Sequence, residues 1–201
     1  MFSAEYNSNI SMLDRDLRLN ASFDIVGRDI KIDKHNARLY FVDGFCKDDL
    51  MEKVMAYFMK ATEKEISACK TTREFANTFV PYVETDVHSR VSDFIKAVLS
   101  GAIGMIVEGY PEAIMIDART YPVRSVGEPE NDRVLRGPHD GFVETLVFNT
   151  ALIRRRIRDT NLTMEIHSVG KKSKTDVVIC FMQDKVNEKM LNALRKKLDS
   201  V

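Results

Sequence analysis

The stretch RVLRGPHDGFVETLVFNTALIRRRIR, from Arg133 to Arg158, constrains this chain more than any other. Gly137 gives a flexible entry, and Pro138 fixes φ in a way that suits a first helical turn and no later one. Asp140 and Glu144 come early, whereas Arg154, Arg155, Arg156 and Arg158 come late, the charge order that a helix macrodipole favours. Phe142, Leu146, Asn149, Ile153 and Ile157 recur at steps of four and three and so share one side, which Val143, Val147 and Ala151 widen. The pattern predicts an amphipathic helix of about four turns. Asn149 is the one polar member of that face, so burial would require it to be hydrogen-bonded.

Around this helix the rest of the chain reads as alternating strands and helices. Ser11 is a candidate cap for a short helix through Leu19, after a polar segment over 1–10. Phe23–Ile32 reads as a strand, clearest where Ile30 and Ile32 alternate with Asp29 and Lys31, and Ala37–Val42 returns after the turn Asp33-Lys34-His35-Asn36, which predicts a hairpin. Helices are expected from Lys47 to about Lys60, over Glu63–Cys69, from Thr71 or Thr72 to Val80, and over Ser92–Ser100. Tyr82–Val87 reads as extended. Gly104–Val107 and Ala113–Asp117 flank the turn Glu108-Gly109-Tyr110-Pro111, a second hairpin. Beyond the central helix, Leu162–Val169 alternates and Asp176–Met182 is nearly all apolar, a strand expected to be covered on both faces. Lys185–Leu198 closes as a helix through Val186, Met190, Ala193, Leu194 and Leu198. The fold class that follows is α/β or α+β, with two small mixed subdomains joined by an irregular linker. Boundaries are placed at 1–20 for an N-terminal tail and short helix, 21–118 for the first subdomain, 119–138 for the linker and 139–201 for the second.

Bulk properties exclude more than they identify. Thirty basic residues balance thirty acidic ones, so no net field draws nucleic acid or acidic lipid. Three separated cysteines, Cys46, Cys69 and Cys180, do not form a disulfide framework, and a reducing compartment fits them better. The N-terminus lacks a signal-peptide pattern. Apolar runs such as Ala102–Val107 and Val177–Met182 fall far short of the roughly 20 residues of a membrane span.

Catalytic and cofactor motifs are equally absent from the sequence. Neither a Gly-x-Ser-x-Gly elbow nor a phosphate-cradling glycine loop occurs, and no Cys-x-x-Cys or His-x-x-x-His pair suggests zinc. His88 and His167 lie in predicted strands and read as structural; His35 and His139 lie in turns. No enzyme, cofactor or metal is expected.

Several segments nevertheless match a known pattern. Tyr121-Pro122-Val123-Arg124-Ser125-Val126-Gly127-Glu128-Pro129, Arg136-Gly137-Pro138, Gly141-Phe142-Val143-Glu144-Thr145 and Asn149-Thr150-Ala151-Leu152-Ile153-Arg154-Arg155-Arg156-Ile157 resemble the signature of the GerA family. That family comprises the A subunits of bacterial spore germinant receptors and their SpoVAF-like paralogues. The resemblance is specific over 121–182, looser over 20–118, and inclines to the SpoVAF branch. It implies a soluble N-terminal domain of a spore germination protein, ending before a multi-span membrane domain. It further implies the spore inner membrane as the location, with this domain on the cytoplasmic (core) side. Other copies or subunits of a germination membrane complex would be its partners.

Within that picture the arginines pose the sharper question. Residues 154–156 fan out at about 100° steps and cannot all face one ligand. Arg154 and Arg156 flank the apolar face, where a guanidinium can grip a carboxylate with two bonds, while Arg155 points away from it. One reading is an ordinary charged C-terminal turn. The other is a network joining Arg124, Arg136, Arg154, Arg155 and Arg156 to Glu128, Asp140 and Glu144, with Gly137 and Asn149 shaping the segment, that fixes subdomains or protomers in register. The alternative function is a sensor holding a small molecule, such as an amino acid, in a cleft between subdomains. Nucleic acid is not expected as a partner.

Overall fold

The hairpin over 25–42 and the apolar runs at 103–107 and 113–116 enter a five-stranded antiparallel sheet, and helices cover it. The computed structural model describes residues 1–46, 48–81, 84–120 and 141–201. The expectations for Lys47, Tyr82, Val83 and His139, and nearly all of the 119–138 linker, lie outside the described residues. Strands β1 (Ile25–Ile32) and β2 (His35–Val42) form the first hairpin, closed by Asp33-Lys34 alone with Asp33 at φ 51°, so His35 and Asn36 belong to the strand and not to the turn. The sheet is completed by β3 (Thr85–His88), β4 (Ile103–Val107) and β5 (Ala113–Ile116), in the order β1-β2-β4-β5-β3.

Both faces of this sheet are covered. Leu39, Ile103, Met105, Ile114 and Ile116 pack beneath α2 (Asp48–Phe58), α3 (Glu63–Ala68) and α4 (Thr72–Phe79). The alternate residues Tyr40, Ile106 and Met115 face α1 (Tyr6–Asp16) and α5 (Val91–Leu99). Gly104 permits this second layer, because a Cβ there would sit 2.3 Å from the Phe94 ring.

Helix α1 begins five residues before the expected Ser11. The Glu5 carboxylate accepts the Ser8 N–H at 2.8 Å, and Asn9 bonds both the N–H and C=O of Ser3. An acidic cap and an asparagine clasp replace the serine start. Below this helix Tyr40 donates to Asp14 at 2.9 Å; burial, and then the Asp14 carboxylate, push its phenol well above the ordinary value.

The remaining described elements are α6 (Leu146–Arg156), the antiparallel pair β6 (Leu162–Val169) and β7 (Thr175–Met182), and α7 (Glu188–Asp199). The architecture is mixed α/β with antiparallel sheets. Three expectations are corrected here. Helix α6 spans 11 residues, about three turns, because the chain from Gly141 to Thr145 is not helical. Helix α7 buries Leu191 and leaves Met190 and Leu194 exposed, so its inner face is one residue on from the expected stripe. Strand β7 is not covered on both faces: Asp176 and Cys180 are exposed, and Val177 and Val178 are half-buried.

Candidate functional site

Three segments distant in sequence meet at α6, and its packing begins from small residues. Ala151 and Val147 lie against Gly44, in the turn after β2, where φ is +82° and an added Cβ would come within 3.0 Å of Val147 Cγ1 and 3.2 Å of Ala151 Cβ. Val42, Phe45 and Ala151 form the apolar contact. The start of the helix is held by Asn149, whose side chain accepts the Val143 N–H and donates to the Val143 C=O, both at 2.7 Å. Thr145, the N-cap, makes no side-chain cap bond, so the Asn149 clasp secures the entry instead.

The face that α6 buries is turned from the expected apolar stripe, keeping its edge at Ala151 and leaving Leu146, Asn149 and Ile153 half-buried. Thr150, Ala151, Leu152 and Arg154 point inward, whereas Phe142, Phe148 and Ile157 are 66%, 45% and 39% exposed. A polar network selects this orientation. The Arg154 guanidinium is fully buried and grips Asp24 with two bonds, Nε to Oδ2 at 2.6 Å and Nη2 to Oδ1 at 3.0 Å. It also donates to the C=O of Asp159 at 2.9 Å and the C=O of Leu162 at 3.0 Å, and lies 3.2 Å from Ser22 Oγ. The Ser22 hydroxyl in turn donates to Asp24 at 2.5 Å and accepts the Met164 N–H at 3.0 Å. Next to it the Phe23 N–H bonds the Met164 C=O. One arginine therefore joins the approach to β1, the end of α6 and the start of β6, with each charge and nearly every donor satisfied.

Two smaller ties flank this junction. The Arg18 side chain donates to Gln183 at 2.9 Å, and Arg158 reaches Ser100 Oγ at 3.3 Å. Farther out, Arg195 of α7 binds Glu165 of β6 through two bonds at 2.9 and 2.5 Å, which hold the Glu165 carboxyl below its ordinary range despite partial burial. A groove of about 520 Å³ opens between α1, α5 and the turn after α6, lined by Asp16, Ser92, Lys96, Leu99, Arg158 and Asp159 among others.

Of the residues singled out in the sequence, Arg124, Glu128, Arg136, Gly137 and Asp140 lie outside the described residues. Glu144 is exposed just before the helix. Arg155 is half-buried and Arg156 exposed, on different sides from Arg154. The carboxylate that Arg154 meets is Asp24, which the sequence reading passed over. Its signal was an aspartate within the apolar run Phe23-Asp24-Ile25-Val26, where an ionised group needs a partner. No group of three His, Cys, Asp or Glu side chains among the described residues is placed to hold a metal ion. Chemically the junction can lock segments together; both Asp24 oxygens are occupied and sealed from solvent.

Comparisons with known proteins agree with this architecture. Residues 13–201 match the family described as Bacillus/Clostridium GerA spore germination protein. Over 190 residues the chain is 34% identical to stage V sporulation protein AF of Bacillus subtilis (strain 168), covering 91% of this chain and 37% of that protein. It is 29% identical to spore germination protein B1 of the same organism, covering 84% of this chain and 34% of the relative. The chain thus spans little more than a third of these relatives. Its fold superposes on the crystal structure of the N-terminal domain of the A subunit of the Bacillus megaterium spore germinant receptor GerK3, with a TM-score of 0.74 at 18% identity, over 98% of this chain and 72% of that one. No helix among the described residues is long and apolar enough to cross a membrane.

Proposed function

Since the chain belongs to the GerA family of spore germination proteins, we propose that it is the assembly and coupling part of a longer spore membrane protein that acts in germination. In this reading it performs no bond-making. It sits on the cytoplasmic side of the spore inner membrane and passes the state of the assembly to a multi-span portion. Other copies, or other subunits of a germination complex, are its partners. The identity to stage V sporulation protein AF favours the SpoVAF-like branch.

The observation that carries the reading is the buried Asp24–Arg154 pair. A fully desolvated ion pair adds little net stability compared with apolar packing, but it admits one geometry and penalises every other. Placed where α6, β1 and β6 meet, it suits a segment that keeps folded parts in register. The experiment is a charge reversal, Arg155→Glu, in the full-length protein in spores. Coupling through α6 predicts a germination defect with normal protein level and normal folding. Normal germination by a folded, normally abundant variant would refute it.

A second reading rests on the mixed-charge groove between α1, α5 and the turn after α6. Its size and its pairing of Lys96 and Arg158 with Asp16 and Asp159 would suit a small zwitterion such as an amino acid. Titrating the chain with amino acids and sugars while following backbone amide resonances separates the two. Saturable shifts confined to Ser92–Leu99 and Arg158–Thr160 would favour the sensor.

A further inference from the structure

Helix α3 meets the first hairpin through its first residue, and one oxygen at that contact lacks a hydrogen bond. Glu63 gives its N–H to Asp33 Oδ2 at 2.7 Å, and its Oε1 accepts the Ser67 hydroxyl at 3.0 Å. Its other oxygen, Oε2, is shielded from solvent although the side chain as a whole is 41% exposed, and no hydrogen bond reaches it among the described residues. A shielded carboxylate oxygen needs a donor. The atom that faces it is His35 Nε2, at 3.6 Å.

The opposite nitrogen of the ring settles what Nε2 can be. His35 Nδ1 lies 3.2 Å from the C=O of Glu108, and a carbonyl only accepts, so Nδ1 carries a proton. Glu108 is itself fixed: its N–H donates to the Asn36 C=O at 2.8 Å, and its carboxylate takes the Asn36 side-chain amide at 2.7 Å. With its one proton on Nδ1, a neutral ring turns the Nε2 lone pair towards Glu63, two acceptors face to face. A second proton makes the same geometry an ion pair.

We propose that His35 is a pH-dependent fastener: proton uptake at Nε2 pins the first turn of α3 to the hairpin, and proton loss releases it. The charged and titratable groups around the pair agree with this. Asp33 and Lys34 come from the turn that precedes His35, Glu63 from α3, and Glu108 and Tyr110 from the turn after β4, three carboxylates against one exposed ammonium. The Ser67 bond, opposed by desolvation and aided by the His35 charge, holds the Glu63 carboxyl below its ordinary value, so Glu63 stays ionised while the ring titrates. The tie is therefore present while the ring is charged and is lost as the pH rises through the range in which histidine gives up its proton. The far end of α3 does not follow. Tyr110 donates to the C=O of Ile66 and of Cys69 at 3.1 and 3.3 Å, and its phenol, pushed up to about 12 chiefly by burial, keeps its proton. Release frees the start of the helix and leaves its end attached. This device needs neither the coupling role of α6 nor a bound ligand.

Amide hydrogen exchange between about pH 5 and 8 tests it, with rates corrected for the intrinsic pH dependence of exchange. The reporters are the Glu65 and Ile66 amides, both bonded to the Thr62 C=O, and the reference is the Phe75 amide of α4, bonded to the Thr71 C=O. Protection of the two reporters relative to Phe75 should fall about threefold as the pH rises, the scale of losing one partly exposed ion pair. Glu63→Gln should remove that fall, because an amide can donate to the neutral ring, and His35→Gln should remove it by deleting the titrating group. Both side chains are partly exposed, so neither change opens the core. A wild-type ratio that stays constant or rises with pH would overturn the proposal. So would a fall that persists in either variant.

Discussion

Replacing Arg154 by methionine removes the charge while keeping much of the side-chain volume, and the structure dictates what remains. Asp24, 1% exposed, would keep, among the described residues, only the Ser22 hydroxyl as a donor to its side chain, and the carbonyls of Asp159 and Leu162 would each lose a donor. Removing one partner of a buried pair typically costs about 3–5 kcal/mol, most of it the penalty for a charge left without compensation. Against a total stability of about 5–15 kcal/mol, that would leave a marginal protein. The assay is urea unfolding followed by circular dichroism, read as a fall in midpoint at constant slope. The double variant Asp24→Leu/Arg154→Met should be more stable than Arg154→Met alone, because it buries no unpaired charge. The loss should also resist salt, unlike that of a surface pair. A cost below about 1 kcal/mol, or a double variant as unstable as the sum of the singles, would refute the account of the junction.

Other parts of the structure are testable in the same way. Gly44→Ala should destabilise by about 1–3 kcal/mol, since a side chain at that positive φ is strained and would press on Val147 and Ala151; thermal unfolding measures it. Asn149→Ala removes both bonds to Val143, so the Val143 amide should exchange with deuterium much faster, with a loss of about 1–2 kcal/mol. Arg195 lowers the Glu165 carboxyl beneath its ordinary 4.5, so its stabilisation is present above that pH and drains as the pH falls through the lower folded value. The stability gap between wild type and Glu165→Gln should therefore be widest near neutrality and close as the solution is acidified below 4.5.

Elements with a local signal were legible in the sequence. The alternation Asp29-Ile30-Lys31-Ile32 before the turn at Asp33-Lys34 marks the first hairpin, two apolar runs about Gly109 mark the second, and Thr71 caps α4 at the expected place. What stayed hidden was decided by distant partners. Asp24 lies 130 residues from Arg154, and nothing in either neighbourhood names the other. A stripe of apolar residues also tells which side of a helix is apolar, not which side is buried. Helix α6 turns Thr150, Ala151 and Arg154 inward because Gly44 admits a close approach and Asp24 waits behind it. Of the expected face, Phe142 and Ile157 are exposed while Leu146, Asn149 and Ile153 are half-buried; with Asp24 enclosed, leaving it without Arg154 would cost more than leaving a few apolar side chains uncovered.

That inversion decides which arginine can report on function. With Arg154 pinned inward, the roughly 100° helical step carries Arg155 and Arg156 to other sides of α6. A germination defect in an Arg154 variant would be uninformative, because loss of the Asp24 pair predicts a destabilised protein whatever the role of the helix. Arg155→Glu and Arg156→Glu leave the Asp24–Arg154 pair in place, so a variant whose unfolding midpoint is unchanged tests the helix apart from that junction. If the helix transmits assembly state, at least one should cut the germination rate while the unfolding midpoint of the chain stays unchanged. If both change nothing in spores that hold normal amounts of the protein, α6 is a brace within one chain, and transmission must run elsewhere.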